Sequence, residues 1–235
     1  MRIIVKLLLA AGILLSGNSA LNAQKRPQKR LTSDIKAGIN LTEMRGIPSY
    51  SVDNKIGLHL GINVNYKIIG NFQIQSGFII SKKGLKQHLV EITGNEVTNI
   101  YDVVDRWYNY TGNYIQVPLN LGYELYFTKN MAFNINGGMY FGYGYKGKTK
   151  FHSFATTYEK GEVTMTGVPE PEYEVDTFDP TRWKRFDYGL NGNVGFIYDI
   201  YTISFSSEYG LNNVTNVPGL DLKNKLYSLS FGFRF

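Results

Sequence analysis

The chain has 235 residues, a formal charge of +6 and no cysteine. That length holds one domain with a core or one membrane barrel, and the lack of cysteine excludes a lipidated N-terminal cysteine, disulfides and thiolate metal sites. Setting residues 1–23 aside removes Arg2 and Lys6 and no acid, so the charge falls to +4, too mild to indicate nucleic acid. Mean hydropathy is −0.21, yet aromatics reach 14%, with 18 Tyr and 25 Gly. An outer-membrane barrel and a soluble all-β domain both fit that composition, so periodicity has to separate them.

Residues 1–23 have the three parts of a secretory signal: Arg2 and Lys6, an apolar run over 7–15, and the small residues Ser19, Ala20 and Ala23 before a cleavage point. The apolar run is shorter than the roughly 20 residues a spanning helix needs. Residues 24–32, with the run K-R-P-Q-K-R, read as a polar periplasmic leader, and 33–235 as the barrel.

Eight strands follow, over 33–42, 55–67, 71–81, 113–127, 131–145, 185–199, 201–211 and 225–235. Successive strand residues point to opposite faces. In the second, Ile56, Leu58, Leu60, Ile62, Val64 and Tyr66 alternate with Gly57, His59, Gly61, Asn63, Asn65 and Lys67. In the fourth, Pro118 falls on the polar face and predicts a missing ladder bond. Ser76 and Ile79 interrupt the third. The last strand sets Tyr227, Leu229, Phe231, Phe233 and Phe235 against Ser228, Ser230, Gly232 and Arg234, with Leu226 the apolar exception.

Short connections (68–70, 128–130, 199–200) alternate strictly with long ones (43–54, 82–112, 146–184, 212–224). Outer-membrane barrels sort their loops this way, short in the periplasm and long outside. Lipid also demands that every backbone group be paired within the protein, which a closed ring of strands achieves. The expected fold is therefore all-β, an eight-stranded antiparallel up-and-down transmembrane β-barrel in the cell outer membrane, closed by pairing of 225–235 with 33–42. A soluble calycin-like barrel, apolar inside, is the competing arrangement.

A barrel of eight strands is filled by side chains. The residues expected inside include Asp34, Lys36, Glu124, Asp187, Glu208 and Arg234, which predicts an ionic network in the lumen, structural in role or forming a proton or ion path. Aromatics near strand ends (Tyr66, Phe72, Tyr126, Phe127, Tyr145, Trp183, Tyr198, Tyr201) suit interfacial girdles.

The stretches Y-I-Q-V-P-L-N-L-G-Y-E-L (114–125), D-Y-G-L-N-G-N-V-G-F (187–196), S-S-E-Y-G-L-N-N-V (206–214) and L-S-F-G-F-R-F (229–235), in that order, resemble the PorT-like outer-membrane β-barrel proteins. The resemblance spans nearly the whole mature chain and implies a small Gram-negative outer-membrane barrel. It also implies that Tyr227, Leu229, Phe231, Phe233 and Phe235 form the C-terminal signal read by the barrel-assembly machinery. It transfers no biochemical activity; some members work in protein secretion.

Candidate chemistry is sparse. His59 faces the expected lumen, and His88 and His152 lie in external loops without a second histidine at ligand spacing, so no metal or cofactor site is expected. His152 with Ser153, Glu159 and Glu162 is the one loop grouping a lipid-modifying enzyme could use, but a triad is defined by geometry. The chain reads as no enzyme.

The long connections carry the rest. Segment 82–112 holds Val97, Ile100, Val103, Val104, Trp107 and Tyr108; segment 146–184 holds the acidic run Glu170, Glu172, Glu174, Asp176 and Asp179. Each is long enough to continue as a hairpin beyond the membrane, and loops of this length usually serve a purpose. Lys82, Lys83, Lys86, Lys146, Lys148, Lys150, Arg182, Lys184 and Arg185 cluster at outer strand ends, with Lys82, Lys83, Lys146, Lys148, Arg182 and Arg185 the candidates for lipopolysaccharide phosphates. Expected partners are outer-membrane lipids and lipopolysaccharide, the assembly machinery during biogenesis, and a protein or surface ligand at the external loops. The function expected is that of a plugged barrel acting through those loops as a structural or interaction protein. The alternatives are an accessory component of a secretion or uptake complex and a barrel-embedded lipid-modifying enzyme.

Overall fold

The computed structural model describes residues 29–46, 52–95, 99–167 and 171–235. The expected signal segment and most of the leader lie outside these residues. The strands are β1 (Leu31–Arg45), β2 (Val52–Ile69), β3 (Phe72–Asn95), β4 (Ile100–Tyr126), β5 (Met131–Glu159), β6 (Glu162–Thr166), β7 (Tyr173–Val175), β8 (Phe186–Tyr198), β9 (Tyr201–Gly210) and β10 (Lys223–Arg234). Among the described residues no helix is long and apolar enough to cross a membrane.

Eight of these strands form a closed antiparallel ring in the order β4-β3-β2-β1-β10-β9-β8-β5, with β5 returning to β4. Closure falls between β1 and β10, in a ladder running from Asp34↔Arg234 to Arg45↔Lys223. Ser33 and Phe235 extend it by exchanging backbone bonds of 3.1 and 2.9 Å. Every strand of the ring thus has a neighbour on each side, as a lipid environment requires. Pro118 has the expected effect: the β3–β4 ladder skips Gly77 and Phe78, the residues opposite Pro118 and Val117.

Exposure decides between the two barrel types. On β2, Ile62 is 51% exposed and its neighbour Asn63 only 2%. The same inversion runs around the ring, with Leu58, Leu121, Ile135, Phe205 and Phe231 outward and Gln75, Asn120, Asn136 and Ser230 inward. An apolar wall around a polar interior suits lipid outside and excludes the calycin-like arrangement. Ile79 and Leu226, the apolar exceptions in phase, line the lumen beside His59 and Glu208.

Three strands are far longer than the sequence pattern indicated. β3, β4 and β5 have 24, 27 and 29 residues, against about 9–11 needed to cross a bilayer. Much of 82–112 and 146–184 is therefore sheet, not loop. The β3–β4 ladder continues to Asn95↔Ile100, and the β4–β5 ladder to Ile100↔Glu159. At about 3.3 Å per residue, the stretch of β4 before Asn113 rises about 40 Å. β8 follows β5 only to Tyr143; beyond it β7 and then β6 take over that edge. A bulge at Tyr145 shifts the register from Tyr114↔Gly144 to Asn113↔Lys146 and reverses the facing of β5. Gly142 and Gly144 turn inward below it, Gly147 and Thr149 above it.

Candidate functional site: lumen and external mouth

The lumen is filled in tiers. At the end carrying the short turns, Arg234 donates from Nε and Nη2 to the two oxygens of Asp34 at 2.6 and 2.8 Å, and from Nη1 to Glu124. Lys67 lies 2.9 Å from Glu124, and Asn65 donates to Asp34 at 2.8 Å. The middle tier is joined by hydrogen bonds between neutral side chains, with Lys36 beside them: His59 bonds Asn40 and, at 2.7 Å, Ser230, while Asn40 donates to Ser81 at 2.9 Å. Above it Lys83 is 1% exposed and lies 3.0 Å from Asp187 and 2.9 Å from Glu208. Asp187 also accepts from Asn224 at 2.9 Å and from Tyr140, and Glu208 from Gln116 at 3.0 Å. Buried charge persists only where it is paired in this way.

Of the expected network, Asp34, Glu124 and Arg234 meet in the lower tier and Asp187 and Glu208 in the upper. Lys36 joins neither as a direct ion pair among the described residues. It lies between two voids of about 20 Å³, each with room for about one water molecule. The expected network leaves out Lys67, although the strand pattern puts it on the polar face.

Lys83 is a correction. The sequence pattern puts it with the outer basic residues, but strand phase turns it into the lumen, where it is the only cation ion-paired to Asp187 and Glu208 among the described residues. Its neighbour Lys82 faces out. Lys82 and Lys146 flank Asn113 across the outer wall, in register Lys82↔Asn113↔Lys146. Lys148 pairs with Glu174 and Lys150 with Glu172, the latter at 2.6 Å, so much of the acidic run fastens β7 to β5. Arg185 lies 3.8 Å from Asp176 and over the Phe178 ring. Glu170 lies outside the described residues.

The external mouth is capped by an apolar cluster of Met44, Leu85, Tyr114, Phe178, Trp183, Val214 and Leu222. Phe178, from the connection after β7, rests on bare backbone: a Cβ at Gly144 would come within 2.2 Å of its ring. It meets Tyr114 edge-on at 5.5 Å, and Lys83 lies 5.4 Å below the Tyr114 ring. Trp183 is therefore not a membrane girdle residue; it is 4% exposed and stacks on Tyr110 inside the mouth. Tyr126 also departs from the expected girdle, its hydroxyl bonding Glu124 at the inner rim of the lumen. Tyr66, Phe72, Phe127, Tyr145, Tyr198 and Tyr201 are exposed on the outer wall. Leu229, Phe231, Phe233 and Phe235 of the expected assembly signal are exposed there too, and Tyr227 is half-buried.

The sheet beyond the barrel has two faces. On one, Trp107 is sandwiched between His88 and His152 at 4.6 and 5.0 Å, and His88 bonds Asp105 at 2.8 Å. On the other, Tyr173, Phe151, Tyr108, Tyr110 and Trp183 form a continuous stack above the mouth. Burial holds Tyr110 up at about 12, ahead of the effect of Tyr108. His152 and Ser153 are consecutive strand residues and point to opposite faces, while Glu159 and Glu162 face each other at the tip, so this grouping forms no triad. Among the described residues no cluster of His, Asp and Glu has the makings of a metal site.

A closed ring of eight strands, apolar outside and ion-paired inside, is the architecture of a transmembrane outer-membrane β-barrel. The chain belongs to the family described as outer membrane protein beta-barrel domain, whose model matches residues 22–216, and it is an outer-membrane protein. No curated protein matches the sequence. Among solved structures it is similar to Ail, the attachment invasion locus protein of Yersinia pestis, in complex with the heparin analogue sucrose octasulfate (15% identity, 88% of this chain and 100% of that one, TM-score 0.39). It is also similar to Neisserial surface protein A (10%, 88% and 96%, TM-score 0.42) and to OprG of Pseudomonas aeruginosa (12%, 88% and 97%, TM-score 0.38).

Proposed function

We propose that this protein is a binding device, not a catalyst or an open pore: a plugged barrel that holds a rigid sheet above the outer membrane for contact with a partner or surface ligand. The observation that carries this reading is the continuation of β3, β4 and β5 well past the ring while the lumen below is filled. A sheet tied to the barrel by unbroken ladders is held in place at little further entropic cost on binding. Its exposed apolar residues, Val90, Ile92, Val163 and Met165, have no role in the barrel. Lys82 and Lys146, exposed on the outer wall, are proposed to contact phosphates of lipopolysaccharide.

Photo-crosslinking on intact cells tests the reading. Probes at Val90 and Ile92 are expected to give discrete products that a probe at Leu121, on the lipid-facing wall, does not give. A barrel with 89–106 replaced by a two-residue turn between the paired His88 and Trp107 should still insert. If the probes capture nothing, and the trimmed barrel equals the parent in every surface-binding assay, the external sheet is not the working part. Membership of a secretion or uptake complex rests on the PorT resemblance alone, and the identity of the cross-linked protein would decide it.

A further inference from the structure

The face of the sheet turned over the mouth forms one wall of a groove of about 300 Å³. Tyr108, Tyr110 and Phe151 supply that wall, and Val217 and Leu220, from the connection between β9 and β10, also line the groove. The rings are stacked on one another at 5.8 and 5.9 Å, so their edges and hydroxyls, not their faces, line the space. Ring edges are the positive part of the aromatic quadrupole. The Tyr108 and Tyr110 hydroxyls have no partner among the described residues.

Arg182 completes the groove. Its guanidinium has no ion-pair partner among the described residues, and it acts electrostatically on Tyr110. The nearest acid in sequence, Asp179, feels the Arg182 charge without forming an ion pair with it; its carboxylate accepts from the Thr181 backbone N–H at 2.9 Å and from the Thr181 hydroxyl at 2.6 Å. The site therefore offers a cation with an open fork, a hydroxyl-rich wall and an apolar lining.

We infer that this groove binds an acidic sugar, a pyranose ring carrying a carboxylate, as a unit of a surface polysaccharide or glycolipid. This inference rests on the reading of the external sheet as a binding device. A pyranose has an apolar C–H face, which suits Val217 and Leu220, and a hydroxyl rim, which suits Tyr108 and Tyr110. A carboxylate matches the planar fork of Arg182 in bidentate fashion. A peptide added as a further strand fits less well, because that mode needs unpaired backbone groups along the wall. Here the wall is the face of a sheet whose ladders are paired through Leu85↔Tyr110↔Thr149 and Gln87↔Tyr108↔Phe151.

The full-length barrel in micelles, carrying Trp107→Phe, keeps Trp183 at the groove as its one tryptophan reporter. Titration with tetragalacturonate should shift Trp183 emission saturably, while maltotetraose, neutral and of equal length, should bind at least about tenfold more weakly. Arg182→Gln should lose about tenfold or more for tetragalacturonate and leave maltotetraose unchanged. Tyr108→Phe should lose a few-fold while keeping its ring. Heat-modifiable migration on gels checks that each variant is folded. In vesicles, a Trp183 shift caused by lipopolysaccharide alone assigns the sugar to the same membrane; a shift only with soluble tetragalacturonate assigns it to an external glycan. No saturable binding in either format, equal affinity for maltotetraose, indifference to Arg182→Gln, or tighter binding of tetraglutamate would each overturn the inference. If tetragalacturonate fails while cross-linking at Val90 and Ile92 persists, the sugar assignment alone falls; if both fail, the reading beneath it falls as well.

Discussion

Arg234 and Asp34 face each other across the seam between the last and first strands, as cross-strand partners in the ladder and as a two-pronged ion pair. Arg234 also reaches Glu124 on β4, across the lumen. One guanidinium thus ties the closing ladder to the opposite wall. Among the described residues, Arg234→Leu would leave Asp34 buried with only Asn65 as a side-chain donor, while Glu124 keeps Lys67. Removing one partner of a buried pair costs about 3–5 kcal/mol. Urea unfolding in lipid vesicles should show a loss of that order, and an unchanged midpoint would mean that the seam does not depend on this pair.

Adjacent lysines should behave in opposite ways. Lys83 is enclosed by Asp187, Glu208 and the Tyr140 ring, whereas Lys82 points outward. Lys83→Met should strand two carboxylates and destabilise the barrel by about 3–5 kcal/mol. Lys82→Met should stay within about 0.5 kcal/mol. Equal effects in the same unfolding assay would contradict the assignment of Lys83 to the interior.

Strand phase was legible in the sequence because lipid outside and polar filling inside force a period of two. It placed Asp34, Glu124, Asp187, Glu208 and Arg234 on the inward face, and the structure finds all of them there. The same rule, followed two residues further along β3, turns Lys83 inward. It was lost because the strand was ended at 81, where the alternation gives way to K-K-G-L-K. Above the membrane, polar and apolar residues suit either face of a solvated sheet, so the extension of β4 and β5 left little periodic trace. The Tyr145 bulge then reversed what trace there was. Trp183 looked like a girdle residue from its position near a strand end; only tertiary folding of the connection brings it onto Tyr110. The pairing of the acidic run with Lys148 and Lys150 was likewise invisible, because Glu172 and Glu174 lie more than twenty residues away from them.

That pairing predicts how β7 responds to pH. The hydrogen bond from Lys148 holds Glu174 below the usual carboxylate value, and the hydrogen bond to Glu172 raises Lys150 above the usual lysine value. A depressed carboxylate contributes while the pH is above its unfolded value and stops contributing as the pH falls through its folded one. A raised lysine contributes below its unfolded value and stops contributing as the pH climbs through its folded one. Docking of β7 should therefore hold from about pH 5 to about pH 10 and loosen on either side. Both pairs are exposed, so high salt should loosen it within that window too. Hydrogen-exchange protection factors of residues 173–175 measure this; protection independent of pH and salt would show that the three backbone pairs of β7 suffice alone.

The outer mouth should stay shut through two layers in series. Phe178 sits on the backbone of Gly144 and Gly147, Tyr114 lies beneath it, and the Lys83 tier lies beneath Tyr114. Phe178→Ala removes the upper layer, and the loss of about 3–5 kcal/mol typical of a buried phenylalanine falls on the docked connection, because the ring's ladders are untouched. Gly144→Val should have the same consequence by a different route, since its side chain would occupy the seat of the Phe178 ring. Neither change removes Lys83, Asp187 or Glu208, so neither should open a large channel. In planar bilayers the parent protein and both variants are expected to show no large steady conductance. Phe178→Ala combined with Lys83→Met removes the upper layer and the cation that holds the lower one, and should raise brief small openings above the parent's level. A large, steady channel in the parent would overturn the plugged lumen, and one in Phe178→Ala alone would show that the Lys83 tier does not block the pore.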